Sequence, residues 1–126
     1  MYKRQHRNRI VSEIRINTKA VTIINTHLDR GSVREAQLSN LLKFTENFEH
    51  FILMGDLNTA IDNSILANWL SNPLYVDAIK VALGKEDDPL RVDWIIIKGF
   101  RVLEGGSEPI GVSDHPYYWV ELELAQ

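Results

Sequence analysis

One stretch limits the fold more than any other: "HFILMGDLNTA", His50 to Ala60. Every position from Phe51 to Met54 is apolar, so a strand here has no face to give to water and needs cover on both sides. The run then stops on Gly55-Asp56-Leu57-Asn58. Side chains repeat every two residues along a strand, so Asp56 and Asn58 would project the same way from its end. In a cleft, one would serve as a base or metal ligand and the other as an orienting amide. The same tetrapeptide is also good turn chemistry, because Asp and Asn side chains bond to nearby backbone.

The flanking segments supply the layers. "RIVSEIRI" alternates as a half-exposed strand, with Ile10, Ser12, Ile14 and Ile16 on one side. "NTK" reads as a turn into a second strand, "AVTIINTHLD", in which Val21, Ile23, Asn25, His27 and Asp29 share a face. Ser32 and Glu35 match a capping box opening a helix to about Phe48, with Leu38, Leu41, Leu42, Thr45 and Phe48 on one side. Asp62, Asn63 and Ser64 are candidate caps for a short helix, "ILANWL", stopped by Asn72-Pro73. "LYVDAIKVALG" reads as a helical turn and "EDDP" as a solvated acidic loop. "RVDWIII", "FRVLE" and "YYWVELEL" read as strands. The order β-β-α-β-α-β-β-β predicts a mixed α/β (α+β) domain with helices outside its sheets.

The 126 residues make at most one domain, large enough to bury a core. Absence of cysteine removes disulfides and thiolate zinc sites. No apolar run reaches a membrane span and no secretory signal is recognisable; a cytoplasmic address is favoured. The net charge is -3, but Lys3, Arg4, Arg7 and Arg9 crowd the start, leaving an acidic body. A basic arm for phosphates is one reading of this start. The preferred reading is a non-native or disordered leader over residues 1–8, since "MYKRQ" matches the translation of a common sequencing adapter.

Further motifs carry candidate chemistry. "NTHLD" sets Asn25 and His27 on an otherwise apolar strand face, as a structural histidine or a catalytic one. In "RVDWIII", Asp93 shares a face with Ile95 and Ile97. A buried carboxylate needs a partner; Arg91 is the structural candidate and a distant histidine the functional one. "SDHP" offers His115, beside Asp114 and stiffened by Pro116. Each motif lies where an apolar run stops, which is where α/β proteins build sites.

In the order NTHLD, GDLN, RVDW and SDHP, the sequence resembles the endonuclease/exonuclease/phosphatase superfamily, the DNase-I-like fold, from about Arg9 to Leu124. The resemblance implies a metal-dependent phosphoesterase, using Mg2+ or Mn2+, built as a four-layer α/β/β/α sandwich. Asp56 would position or deprotonate water, and Asn58 would hold that water or the phosphate. His115 would meet the scissile phosphate, oriented by Asp93. Asp114 and Asp56 would lie on the metal side. His27, and more weakly Asn25, would stabilise the phosphate or the leaving group. Its substrates include nucleic acids, lipid head groups, inositol phosphates and nucleotides; the acidic body makes long duplex DNA the poorer choice.

The family fold is about twice as long, and its first half supplies an Asn and a metal-binding Glu with no counterpart here. Residues 9–126 are therefore expected to be a C-terminal half, inactive alone. Its inner sheet face, with Ile23, Ile95 and either Trp94 or Trp119, would be bare. Such a face suits the missing half. Alternatively, it suits a non-catalytic, self-associating binding module that keeps relic site residues.

Overall fold

The computed structural model describes residues 9–109 and 116–125; the leader, Asp114 and His115 lie outside the described residues. Strands β1 (Arg9–Ile16) and β2 (Lys19–His27) form an antiparallel hairpin. Its turn holds Asn17 at φ 50° and Thr18 at φ 71°, the left-handed pair a two-residue hairpin needs. Asn accepts this conformation readily, whereas branched Thr18 adopts it at a cost.

Helix α1 (Arg34–Thr45) carries the chain to β3 (Phe51–Asp56), which lies parallel to β2. The expected capping box does not form: Val33 stands at the N-cap and no side chain caps the helix. A turn through Gly31 (φ 89°) closes by an Arg34 N–H bond to the Gly31 carbonyl at 3.2 Å. Ser32 is thereby spent in the turn. The other helices are capped from side chains. Asn63 accepts from the Leu66 N–H at the start of α2 (Ser64–Leu70), and Asp77 accepts from the Lys80 N–H at the start of α3 (Ala78–Leu83). The stretch read as a helical turn is thus a short edge strand, β4 (Val76–Asp77), followed by a helix.

Strand β5 (Asp93–Lys98) runs antiparallel to β3 and completes a five-stranded sheet of order β1-β2-β3-β5-β4. Strands β6 (Phe100–Glu108) and β7 (Tyr117–Leu124) form a second, two-stranded sheet. β3 is central, with Phe51 and Leu53 buried on one face and Ile52 and Met54 only half-buried on the other. On one face Ile24, Phe51, Leu53, Trp94 and Ile96 pack against Leu38, Leu41 and Leu42 of α1 and Leu66 of α2. On the other, Val21 and Ile97 pack with Ala78, Phe100 and the apolar side chains of β6 and β7.

Cover on that second face is incomplete. Ile23, Ile52 and Ile95 are half-buried, and on β1 Ile10 is 70% and Ile14 40% exposed. Trp94, expected on this bare face, is instead buried on the helix side, because its partner in register is Gly55 and not Asp56. Among the described residues no helix is long and apolar enough to cross a membrane.

Candidate active site

Main-chain register builds the site. β2 and β3 pair His27 with Asp56, and β3 and β5 pair Asp56 with Asp93. Paired residues on neighbouring strands point to the same face, so these three side chains form one row across the sheet. The next row in the same face is Asn25, Met54 and Ile95. Four of the sequence-derived candidates therefore come together: Asn25, His27, Asp56 and Asp93.

Gly55 makes the row possible. It holds φ 138°, and a Cβ there would collide with the Thr26 carbonyl oxygen and lie 2.9 Å from its carbonyl carbon. Only glycine lets β3 press this closely on β2 as it turns out of the sheet.

GDLN forms the turn that its composition allows, and leaves one Asp56 oxygen outside it. Asp56 Oδ1 accepts from the Asn58 N–H at 2.7 Å, an Asx turn that holds Asn58 at φ 46°. Asp56 Oδ2 points elsewhere and stands 3.5 Å from His27 Nε2. One carboxylate oxygen shapes the loop and the other faces the imidazole. The Asn58 side chain donates to the Leu28 carbonyl, so it straps the loop after β3 to the loop after β2. The same two loops are joined by the Leu28 N–H on the Asp56 carbonyl at 2.9 Å. Arg34 of α1 donates to the Asn58 carbonyl at 3.0 Å. Gln37 and Asp29 exchange a side-chain bond at 3.1 Å and a backbone bond at 2.9 Å. Asp56 is thus held by a mesh rather than left on a free loop, which favours a preorganised role.

Access differs along the row. The His27 side chain is 75% exposed and that of Asp56 15%. A hollow of about 320 Å³ opens beside Asp93, lined by Asn25, Met54, Ile95, Pro116 and Tyr118 among others. Pro116 follows His115 directly in the sequence, so the chain leaves the SDHP motif at the wall of this hollow. Burial pushes the Tyr118 phenol up against the pull of Arg91, and the carboxylates of Asp93, Asp88 and Asp87 act in the same sense as burial. Tyr118 therefore offers a hydroxyl donor at any physiological pH.

The surroundings of Arg91 are the main feature that the sequence did not reveal. The arginine does not neutralise the Asp93 carboxylate. Its Nε donates to Asp87 Oδ1 at 2.7 Å and its Nη2 to Asp77 Oδ2 at 2.8 Å, while Nη1 donates to the Asp93 main-chain carbonyl at 2.7 Å. The Asp87 side chain is only 9% exposed, so the EDDP loop is not simply a solvated acidic run. Burial opposes the charge of Arg91, but its hydrogen bonds and Coulombic attraction with Asp87 and Asp77 outweigh that and hold the guanidinium above its ordinary range. The i, i+4 spacing of Asp87 and Arg91 was the signal available for this pair.

Among the described residues no three imidazoles or carboxylates gather closely enough to hold a metal ion.

No family model and no curated protein matches the sequence. Solved structures do. An endonuclease/exonuclease/phosphatase from Beutenbergia cavernae DSM 12333 aligns with a TM-score of 0.67 at 18% identity, over 92% of this chain and 38% of that one. Another from Bacteroides vulgatus aligns at 0.64 and 21% identity, over 86% and 51%. This is the endonuclease/exonuclease/phosphatase fold. A functionally unknown conserved protein from Enterococcus faecalis V583 has a similar fold, with a TM-score of 0.66 and 21% identity over 85% of this chain and 51% of that one. The chain thus spans about half the length of these structures or less. Its DNase-I-like sheet carries the row just described at one end.

Proposed function

We propose that the protein to which this chain belongs is a phosphoesterase that directs water in line onto a phosphate ester. The observation that carries this reading is the His27–Asp56–Asp93 row, set by strand register at one end of an endonuclease/exonuclease/phosphatase sheet. Asp56, with one oxygen fixed in the turn, uses the other to orient or deprotonate water. His27, exposed beside it, donates to a phosphate oxygen or the leaving group. Asp93 orients His115 toward the phosphate, and the Pro116 wall of the hollow supports that placement. Asn58 uses one amide hydrogen to strap the loop and keeps the second for a phosphate oxygen; Asn25 assists from the next row. General acid–base help of this kind contributes roughly 10²–10⁴-fold.

Metal dependence is part of the proposal. Mg2+, or Mn2+ in its place, would neutralise charge on the phosphate. Its donors would be Asp56 and Asp114 together with residues beyond this chain, since the described residues do not suffice. The test uses the full-length protein and bis(p-nitrophenyl) phosphate. Chelation with EDTA should abolish turnover and added Mg2+ should restore it. Hydrolysis that is indifferent to EDTA rejects the metal, and no hydrolysis under any condition rejects the reading.

The bare face around Ile10, Ile14, Ile23, Ile52 and Ile95 supports the second part of the proposal. It is the surface against which the remaining half of the fold would pack, leaving the 126-residue chain inactive alone. Sedimentation of the isolated chain should show aggregation. A clean, folded dimer without activity would instead favour a self-associating binding module with relic site residues.

A further inference from the structure

The start of β5 is fixed from two directions. On one side the Leu57 N–H donates to the Val92 carbonyl at 2.9 Å, tying β5 to the loop that carries Asp56 and Asn58. On the other, Arg91, two residues before the strand begins, donates from Nη1 to the Asp93 carbonyl at 2.7 Å. The guanidinium that makes this bond is almost wholly buried, with its side chain 3% exposed. It cannot swing, because Asp77 at the N-cap of α3 and Asp87 of the following loop each take two of its hydrogen bonds. Its flat face lies 4.5 Å over the Trp94 ring, and the Trp94 indole N–H donates to the Thr59 carbonyl at 2.8 Å. Arg91 is therefore the hub through which α3, the acidic loop, β5 and the loop after β3 are joined behind the candidate site.

We infer that Arg91 is a positioning residue for the reaction: it sets the height and direction of Asp93 by clamping that residue's carbonyl, without touching substrate. The inference rests on the phosphoesterase reading given above. A buried guanidinium bonded to two carboxylates could serve stability alone, and such a role would not need its third arm on Asp93. Geometry separates the two, because a lysine can keep the charge here but its compact three-donor ammonium cannot reproduce the five hydrogen bonds of the planar guanidinium.

The test is a double-mutant cycle in the full-length protein, with kcat and KM measured on bis(p-nitrophenyl) phosphate and thermal melting of each variant. Arg91→Lys should lower kcat about tenfold or more while KM stays within about threefold. Its melting curve should remain a single transition. Arg91→Lys added to Asp93→Asn should cost little beyond Asp93→Asn alone, because both changes disable the same group. Should Arg91→Met be tried and fail to fold, the lysine variant still decides. Losses that multiply, or a lysine variant with wild-type kcat per folded molecule, would overturn the positioning role and leave a structural one. If Asp93→Asn has no effect on turnover, or the wild type does not hydrolyse the ester, the phosphoesterase reading falls first and takes this inference with it.

Discussion

Gly55→Ala should unfold the chain or come close to it. Two independent penalties meet at that position. The backbone sits at φ 138°, a region essentially closed to residues with a Cβ, which costs about 1–3 kcal/mol. The added methyl would also enter the Thr26 carbonyl group, part of the neighbouring strand's backbone, which cannot rotate away as a side chain would. Overpacking of that kind adds about 1–3 kcal/mol. A combined loss of about 4 kcal/mol is a large share of the ~5–15 kcal/mol that holds a typical domain together. Urea titration followed by circular dichroism measures it directly, and a loss below about 1 kcal/mol would show that β2 and β3 separate easily. Such a result would also undercut the candidate site, since the His27–Asp56 pairing depends on that close approach.

Asp56→Asn should do the opposite: leave the fold intact and remove the chemistry. The carboxamide is the same size and still presents an oxygen to the Asn58 N–H, the 2.7 Å bond that forms the turn. What it loses is the charge and the basic Oδ2 facing His27. Because that histidine is largely exposed, the stability change should stay within about 1 kcal/mol. Turnover in the full-length protein should fall by about 10²–10⁴-fold, with KM little changed. A variant that melts early and loses activity only in proportion to its folded fraction would return Asp56 to a turn-forming role. Asp56→Ala would be a poorer experiment, because it removes the turn and the base together.

Much of the fold was legible because burial leaves periodic marks. The unbroken apolar run of β3, the alternation of β1 and β2, and the three-and-four spacing of Leu38, Leu41 and Leu42 each reflect which faces meet water. The candidate row was legible for a related reason: polar groups that end apolar strands stand out. Other features depend on geometry that spacing does not encode. Ser32 and Glu35 have the spacing of a capping box, yet with Gly31 left-handed the helix starts at Arg34, with Val33 at the N-cap and Ser32 outside it. Trp94 and Asp93 are neighbours in sequence, and only the pairing register showed that the ring faces the helices while the carboxylate faces the row. Arg91 was one of two candidate partners for the Asp93 carboxylate, a distant histidine being the other. The carboxylates that Arg91 does hold, Asp77 and Asp87, come from a strand end and a loop brought together only by the turn of α3.

The strand ladder has one more implication. The three members of the row are separated along the chain by α1 on one side and by α2, β4 and α3 on the other, yet their spacing in space is fixed by hydrogen bonds between adjacent strands. Connections can therefore lengthen, shorten or change sequence without shifting these three side chains against one another. A scaffold of this kind can vary everything above the sheet and still hand down one fixed row of side chains.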